Sequence, residues 1–148
     1  MTEPKRYSLF YLEDHGPTLD KIKHWLPQAG PWTVSGETDE KRALKVVSRQ
    51  RFDLYLIDEV LSEWTPSNQM VGSEVVEELR KMRIFSKLSP IVIFSQLVTD
   101  FDLKAFGQGS GVWMRTHDYY EMRRVEGNLA IMSRNLLQIL EYHRLHPV

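Results

Sequence analysis

The chain has 148 residues, 42% of them hydrophobic and 26% charged, with a formal net charge of −1. That length suits one domain able to bury roughly 70% of its unfolded surface without covalent staples. The balanced charge supplies no global field toward nucleic acid or an anionic membrane. The absence of cysteine excludes disulfides, thiolate metal sites and a cysteine nucleophile. The first residues lack the apolar stretch of a signal peptide, and no run of about 18 apolar residues exists to span a bilayer. The expectation is a cytoplasmic protein of one domain, 1–148, with its core over about 7–142 and no output domain.

Tyr7 to Leu12 is a short apolar run, rich in aromatics, that stops at Glu13-Asp14-His15-Gly16; it predicts a buried strand. Pro17 suits the start of a helix whose apolar face is Leu19, Ile22, Trp25 and Leu26, ended by Pro27 and Gly30-Pro31. Trp32 to Ser35 reads as a weak strand. Thr38 or Asp39 then caps a helix carrying Ala43, Leu44, Val46 and Val47. Phe52 to Asp58 is the strongest strand signal, followed by a long loop to Gly72. Ser73 caps a helix with Val75, Val76, Leu79 and Met82 on one stripe.

Pro90 to Ser95 is a continuous apolar run, as in a strand covered on both faces. Asp100 to Phe106 predicts a short helix, Gly111 to Arg115 a last short strand, and Asn128 to Tyr142 a terminal helix. Strands alternating with helices indicate parallel βαβ units. The pattern predicts an α/β, flavodoxin-like, doubly wound sheet of five parallel strands in the order 2-1-3-4-5, with about five helices on both faces.

In such sheets ligands sit outside the carboxyl ends of the strands, at the switch in strand order. Those ends carry Glu13 and Asp14, Asp58, Ser95 and Arg115. With the first and third strands adjacent, three carboxylates converge. Their mutual repulsion calls for a counter-charge, and a hard divalent cation such as Mg²⁺ meets an all-oxygen donor set.

The order and spacing of these strand ends resemble the receiver domain of two-component response regulators, from Tyr7 to about Leu140. Leu12-Glu13-Asp14 resembles the family's acidic pair, and Leu54-Tyr55-Leu56-Ile57-Asp58 its phosphoacceptor strand. Ile91-Val92-Ile93-Phe94-Ser95 resembles the strand ending in Ser or Thr, and Val112-Trp113-Met114-Arg115 the strand ending in Lys-Pro. The resemblance implies phosphoryl transfer from a histidine kinase or phosphotransfer protein to Asp58. It implies that Mg²⁺ is held by Glu13, Asp14, Asp58 and the Val60 carbonyl, that Ser95 binds a phosphoryl oxygen, and that Arg115 supplies the positive charge. Output would pass to another protein, or to a second copy through the face of the fourth helix, fifth strand and fifth helix.

On that alignment the chain departs from the family at three places: Arg115 for Lys, Thr116 for Pro, and Val112 for an aromatic switch residue. The loop to Gly72, holding Trp64 and Met70, is longer than the family's, as a lid or partner contact would be. Apolar Val60 and Leu97, at the positions that tune water access, predict slow autodephosphorylation. Two other readings stay open. One is a pseudo-receiver that docks partners without accepting phosphate. The other is an unrelated flavodoxin-like enzyme, which the acidic Glu13-Asp14-His15-Gly16-Pro17 turn opposes, because it would repel a phosphate in the absence of a metal.

Overall fold

The computed structural model describes residues 5–58, 72–95, 113–115, 119–123 and 128–146. The chain runs β1 (Tyr7–Leu12), α1 (Gly16–Ala29), β2 (Trp32–Glu37), α2 (Glu40–Arg49), β3 (Leu54–Asp58), α3 (Gly72–Lys81) and β4 (Ile91–Ser95). It continues through β5 (Trp113–Arg115), β6 (Tyr120–Arg123) and α4 (Leu129–Leu145). The strands form one sheet in the order β2-β1-β3-β4-β6-β5. Five of them, β2-β1-β3-β4-β6, are parallel and give the expected 2-1-3-4-5 order. The sixth, β5, is antiparallel to β6 and lies at the edge.

The central strands carry near-continuous apolar runs because both faces are covered. Leu9, Tyr11, Leu54, Leu56, Val92 and Phe94 point to one side, where Leu19, Ile22 and Leu26 of α1 and Met132, Leu136 and Ile139 of α4 close the core. Phe10, Leu12, Tyr55, Ile57, Ile91 and Ile93 point to the other, against Ala43 and Val47 of α2 and Val75, Val76 and Leu79 of α3. Each such side chain contributes roughly 1.5–3 kcal/mol of transfer free energy, so the sheet is the most strongly held part of the fold.

Helix starts follow local capping chemistry. The Asp39 carboxylate accepts from the Arg42 backbone N–H at 2.9 Å, which settles the start of α2. Asn128 does the same for α4 through the Ile131 N–H at 3.1 Å. His15, expected in a loop, caps α1: its Nδ1 accepts from the Thr18 N–H at 3.3 Å.

Two expectations need correction. Helix α1 does not end at Pro27 but continues to Ala29. Arg6 donates to the Pro27 carbonyl at 3.4 Å and to the Trp32 carbonyl, so one cation ties the last turn of α1 to the start of β2. The fifth parallel strand is not the segment ending at Arg115. The strand beside β4 is Tyr120–Arg123, and Trp113–Arg115 lies outside it, antiparallel. Tyr120 and Met122 bury alternate positions of β6, while Glu121 and Arg123 interrupt the apolar run. A half-buried strand of this kind reads as polar when only continuous apolar runs are sought. The helix expected over Asp100–Phe106 lies outside the described residues, which contain four helices.

Candidate functional site

β1 and β3 are neighbours, with Leu12 in register with Ile57. The next residue along each strand is therefore Glu13 and Asp58, side by side at the carboxyl end of the sheet. Oxygen atoms of Glu13, Asp14 and Asp58 all lie within 4.8 Å of one another. Glu13 is 2% exposed and Asp58 7% exposed, so two of the three carboxylates are enclosed by protein. Like charges this close and this poorly hydrated repel strongly unless a cation or proton offsets them. The donor set is all carboxylate oxygen, which suits a hard divalent ion.

Glu13 is held from three directions. Its backbone N–H donates to the Glu37 carbonyl at 3.2 Å, tying the turn to the end of β2. Its Oε2 accepts from the buried Tyr11 hydroxyl at 2.8 Å, and its Oε1 from the His15 N–H at 3.4 Å. The second bond belongs to the same turn that starts α1, so the helix cap and the carboxylate's position are set together.

On the other side of β3, Asp58 is in register with Phe94, and Ser95 ends β4. Ser95 is in register with Arg123 of β6. Arg115 is not brought to this end. It is in register with Tyr120, which in turn pairs with Val92, so its backbone sits level with Val92 on the outermost strand. That is three residues, or ~10 Å, below the level of Ser95. Val60, Leu97, Val112 and Thr116 lie outside the described residues, as does the loop carrying Trp64 and Met70.

Sequence reasoning brought Glu13, Asp14 and Asp58 together and missed Tyr11, Tyr120 and Arg123. Tyr120 precedes Arg123 as Val112 precedes Arg115, so the pattern of an aromatic three residues before a basic residue occurs in β6. That repetition was the signal available. The period-2 burial of Tyr120 and Met122 decides between the two segments.

The open sheet with parallel order β2-β1-β3-β4-β6 is that of the CheY-like response-regulator receivers, and the chain has their fold. No protein-family model and no curated relative matches it. Solved structures do. The chemotaxis response regulator CheY4 of Vibrio cholerae is 18% identical, with a TM-score of 0.63 over 92% of this chain and 99% of that one. A Francisella response-regulator receiver domain is 17% identical, with a TM-score of 0.62 over 93% of this chain and 98% of that one. The receiver domain of a sensor histidine kinase of Pseudomonas aeruginosa, solved with magnesium coordinated in its active-site cleft, is 20% identical. Its TM-score is 0.58 over 93% of this chain and 96% of that one. No helix among the described residues is long and apolar enough to cross a membrane.

Proposed function

We propose that the chain is a phosphorylatable receiver that takes a phosphoryl group on Asp58 and signals through protein–protein contacts, rather than an enzyme acting on a metabolite. The observation that carries this reading is the convergence of Glu13, Asp14 and Asp58 within 4.8 Å at the carboxyl end of a receiver-type sheet. The phosphodonor is a histidine kinase or phosphotransfer protein. Fold likeness to receivers of both regulators and kinases supports that class of partner.

A carboxylate oxygen of Asp58 attacks phosphorus, the bond from phosphorus to the donor's imidazole nitrogen breaks, and an acyl phosphate forms. Glu13, Asp14 and Asp58 are the residues that would hold Mg²⁺, with the Val60 carbonyl as a further ligand. When bound, the ion neutralises charge on the phosphoryl oxygens, the main requirement of a loose phosphoryl-transfer transition state. Ser95 ends the neighbouring strand, where a hydroxyl can receive a phosphoryl oxygen. Arg123, in register with Ser95, replaces Arg115 as the basic residue of this reading. An arginine keeps the charge of the family's lysine and adds bidentate geometry.

The test is incubation with Mg²⁺ and acetyl phosphate, followed by intact mass measurement. The expected result is a gain of one phosphate in the wild type and in Arg115→Gln, and no gain in Asp58→Asn. Arg123→Gln is expected to phosphorylate at least tenfold more slowly. A folded wild type that gains no phosphate overturns the proposal in favour of a docking module, the reading that an arginine in the lysine's place favours.

A further inference from the structure

The hydroxyl of Tyr11 lies one strand pleat below the acidic crevice, completely buried, and donates to Glu13 Oε2 at 2.8 Å. Residues two apart on a strand share a face, so Tyr11 and Glu13 stand over the same side of β1. We propose that Tyr11 is a positioning residue for the metal site, fixing the orientation of the Glu13 carboxylate offered to a divalent cation. This rests on the reading of Glu13, Asp14 and Asp58 as metal ligands.

First, a phenol this deep needs an acceptor, because a buried hydroxyl left without one has lost its bonds to water and gained none in return. Tyr11 belongs to the same buried apolar cluster as Leu9, Leu56 and Phe94, and it reaches the Glu13 carboxylate at the edge of that cluster. Second, a carboxylate has two oxygens, and the bond to Oε2 removes the freedom to swap them. The other oxygen accepts from the His15 N–H at 3.4 Å, in the turn that starts α1. Third, the backbone that carries the ring is anchored. Tyr11 is in register with Leu56 in β3 on one side and with Gly36 in β2 on the other. A Cβ on Gly36 would lie 2.8 Å from the Tyr11 carbonyl oxygen and 2.4 Å from Leu19 Cδ1. Glycine there lets Leu19 of α1 press onto β2 at the level of Tyr11.

Partners behind a ligand hold its orientation and commonly contribute 10- to 100-fold in metal affinity. The experiment is a calorimetric titration of the full chain with Mg²⁺ alone, comparing wild type, Tyr11→Phe, Glu13→Gln and the double variant. Tyr11→Phe is expected to weaken Mg²⁺ binding about tenfold. In the Glu13→Gln background the same change is expected to alter affinity less than twofold, because its effect travels through the Glu13 carboxylate. With acetyl phosphate as donor, Tyr11→Phe is expected to raise the Mg²⁺ concentration for half-maximal phosphorylation while the rate at saturating Mg²⁺ stays within about twofold. A purely structural tyrosine would give equal losses in both backgrounds, and that result overturns the proposal, as does unchanged affinity in Tyr11→Phe. A wild type that binds no Mg²⁺ removes the metal reading itself, a separate outcome.

Discussion

The Tyr120 hydroxyl sits 2.9 Å from His143 Nδ1, and the opposite nitrogen of the same ring sits 2.6 Å from the Lys87 carbonyl oxygen. A carbonyl only accepts, so Nε2 carries a proton; in the neutral imidazole Nδ1 then accepts from Tyr120. The buried imidazole thus bridges β6, α4 and the segment leading into β4. Tyr120→Phe removes the donor to Nδ1 and is expected to lower unfolding free energy by about 1–3 kcal/mol. Urea unfolding followed by circular dichroism measures it. A loss under about 0.5 kcal/mol, within the scatter of surface substitutions, would show that the bond contributes little.

A second tie joins the ends of the chain. Trp32 Nε1 donates to Ser133 Oγ at 2.8 Å, both buried, linking β2 to α4. A Cβ on Gly30 would lie 2.0 Å from that hydroxyl oxygen and 2.9 Å from the indole nitrogen. Gly30 has an extended backbone, so the constraint is one of space rather than of backbone conformation. Ser133→Ala is expected to cost about 1–2 kcal/mol, and Gly30→Ala more, about 2–3 kcal/mol, because it also forces α4 away. Thermal unfolding of the two variants side by side tests the order.

Alkaline stability turns on Tyr55. Burial pushes its phenol above the ordinary 10.0, and this outweighs the lowering by the Phe52 N–H bond and by Arg51; Asp53 raises it further. The folded state therefore favours the neutral phenol. Its contribution is complete below about pH 10 and is lost as pH rises from there through the higher folded-state value. Urea midpoints measured at about pH 8 and about pH 10.5 should fall with pH in the wild type and fall less in Tyr55→Phe. Equal slopes in the two proteins would contradict the assignment. The variant starts lower, because the Phe52 N–H loses an acceptor at 3.2 Å.

The acidic crevice carries an internal opposition between stability and function. In metal-free protein, Asp58→Asn removes one of two enclosed like charges and is expected to stabilise the fold by about 1 kcal/mol. With Mg²⁺ in hundredfold excess over its dissociation constant, the wild type gains about 2.7 kcal/mol by linkage, and the variant gains much less. The order of the two melting temperatures should therefore invert on adding Mg²⁺.

The parallel order of the sheet and the acidic triad were legible in the sequence because both rest on long apolar runs with abrupt polar ends. Leu54 to Asp58 has no competing interpretation, and Glu13 and Asp58 follow from it once β1 lies beside β3. The fifth strand was not legible in the same way. Trp113-Met114-Arg115 and Tyr120-Glu121-Met122-Arg123 both join aromatic and apolar residues to a terminal arginine. Local pattern alone does not say which one pairs with β4, since that pairing is decided by tertiary packing of Tyr120 and Met122. Pro27 misled for a related reason: the tie from Arg6 to its carbonyl comes from a residue distant in sequence. The role of Tyr11 was hidden by its aromaticity, which made it look like any other core residue of the first strand.

The edge hairpin also bears on how the chain reaches this state. Trp113 pairs with Met122 and Arg115 with Tyr120, contacts between near neighbours in sequence. The parallel pairing of β4 with β6 must close a far longer loop, from Ser95 back to Arg123. Hairpins form in about 1–10 μs, whereas non-local parallel pairing is slow. β5 and β6 should therefore associate first and dock onto β4 as a preformed pair. On this ordering, the carboxyl end of β6, where Arg123 is in register with Ser95, comes into place late in folding, after the sheet edge that carries Glu13 and Asp58.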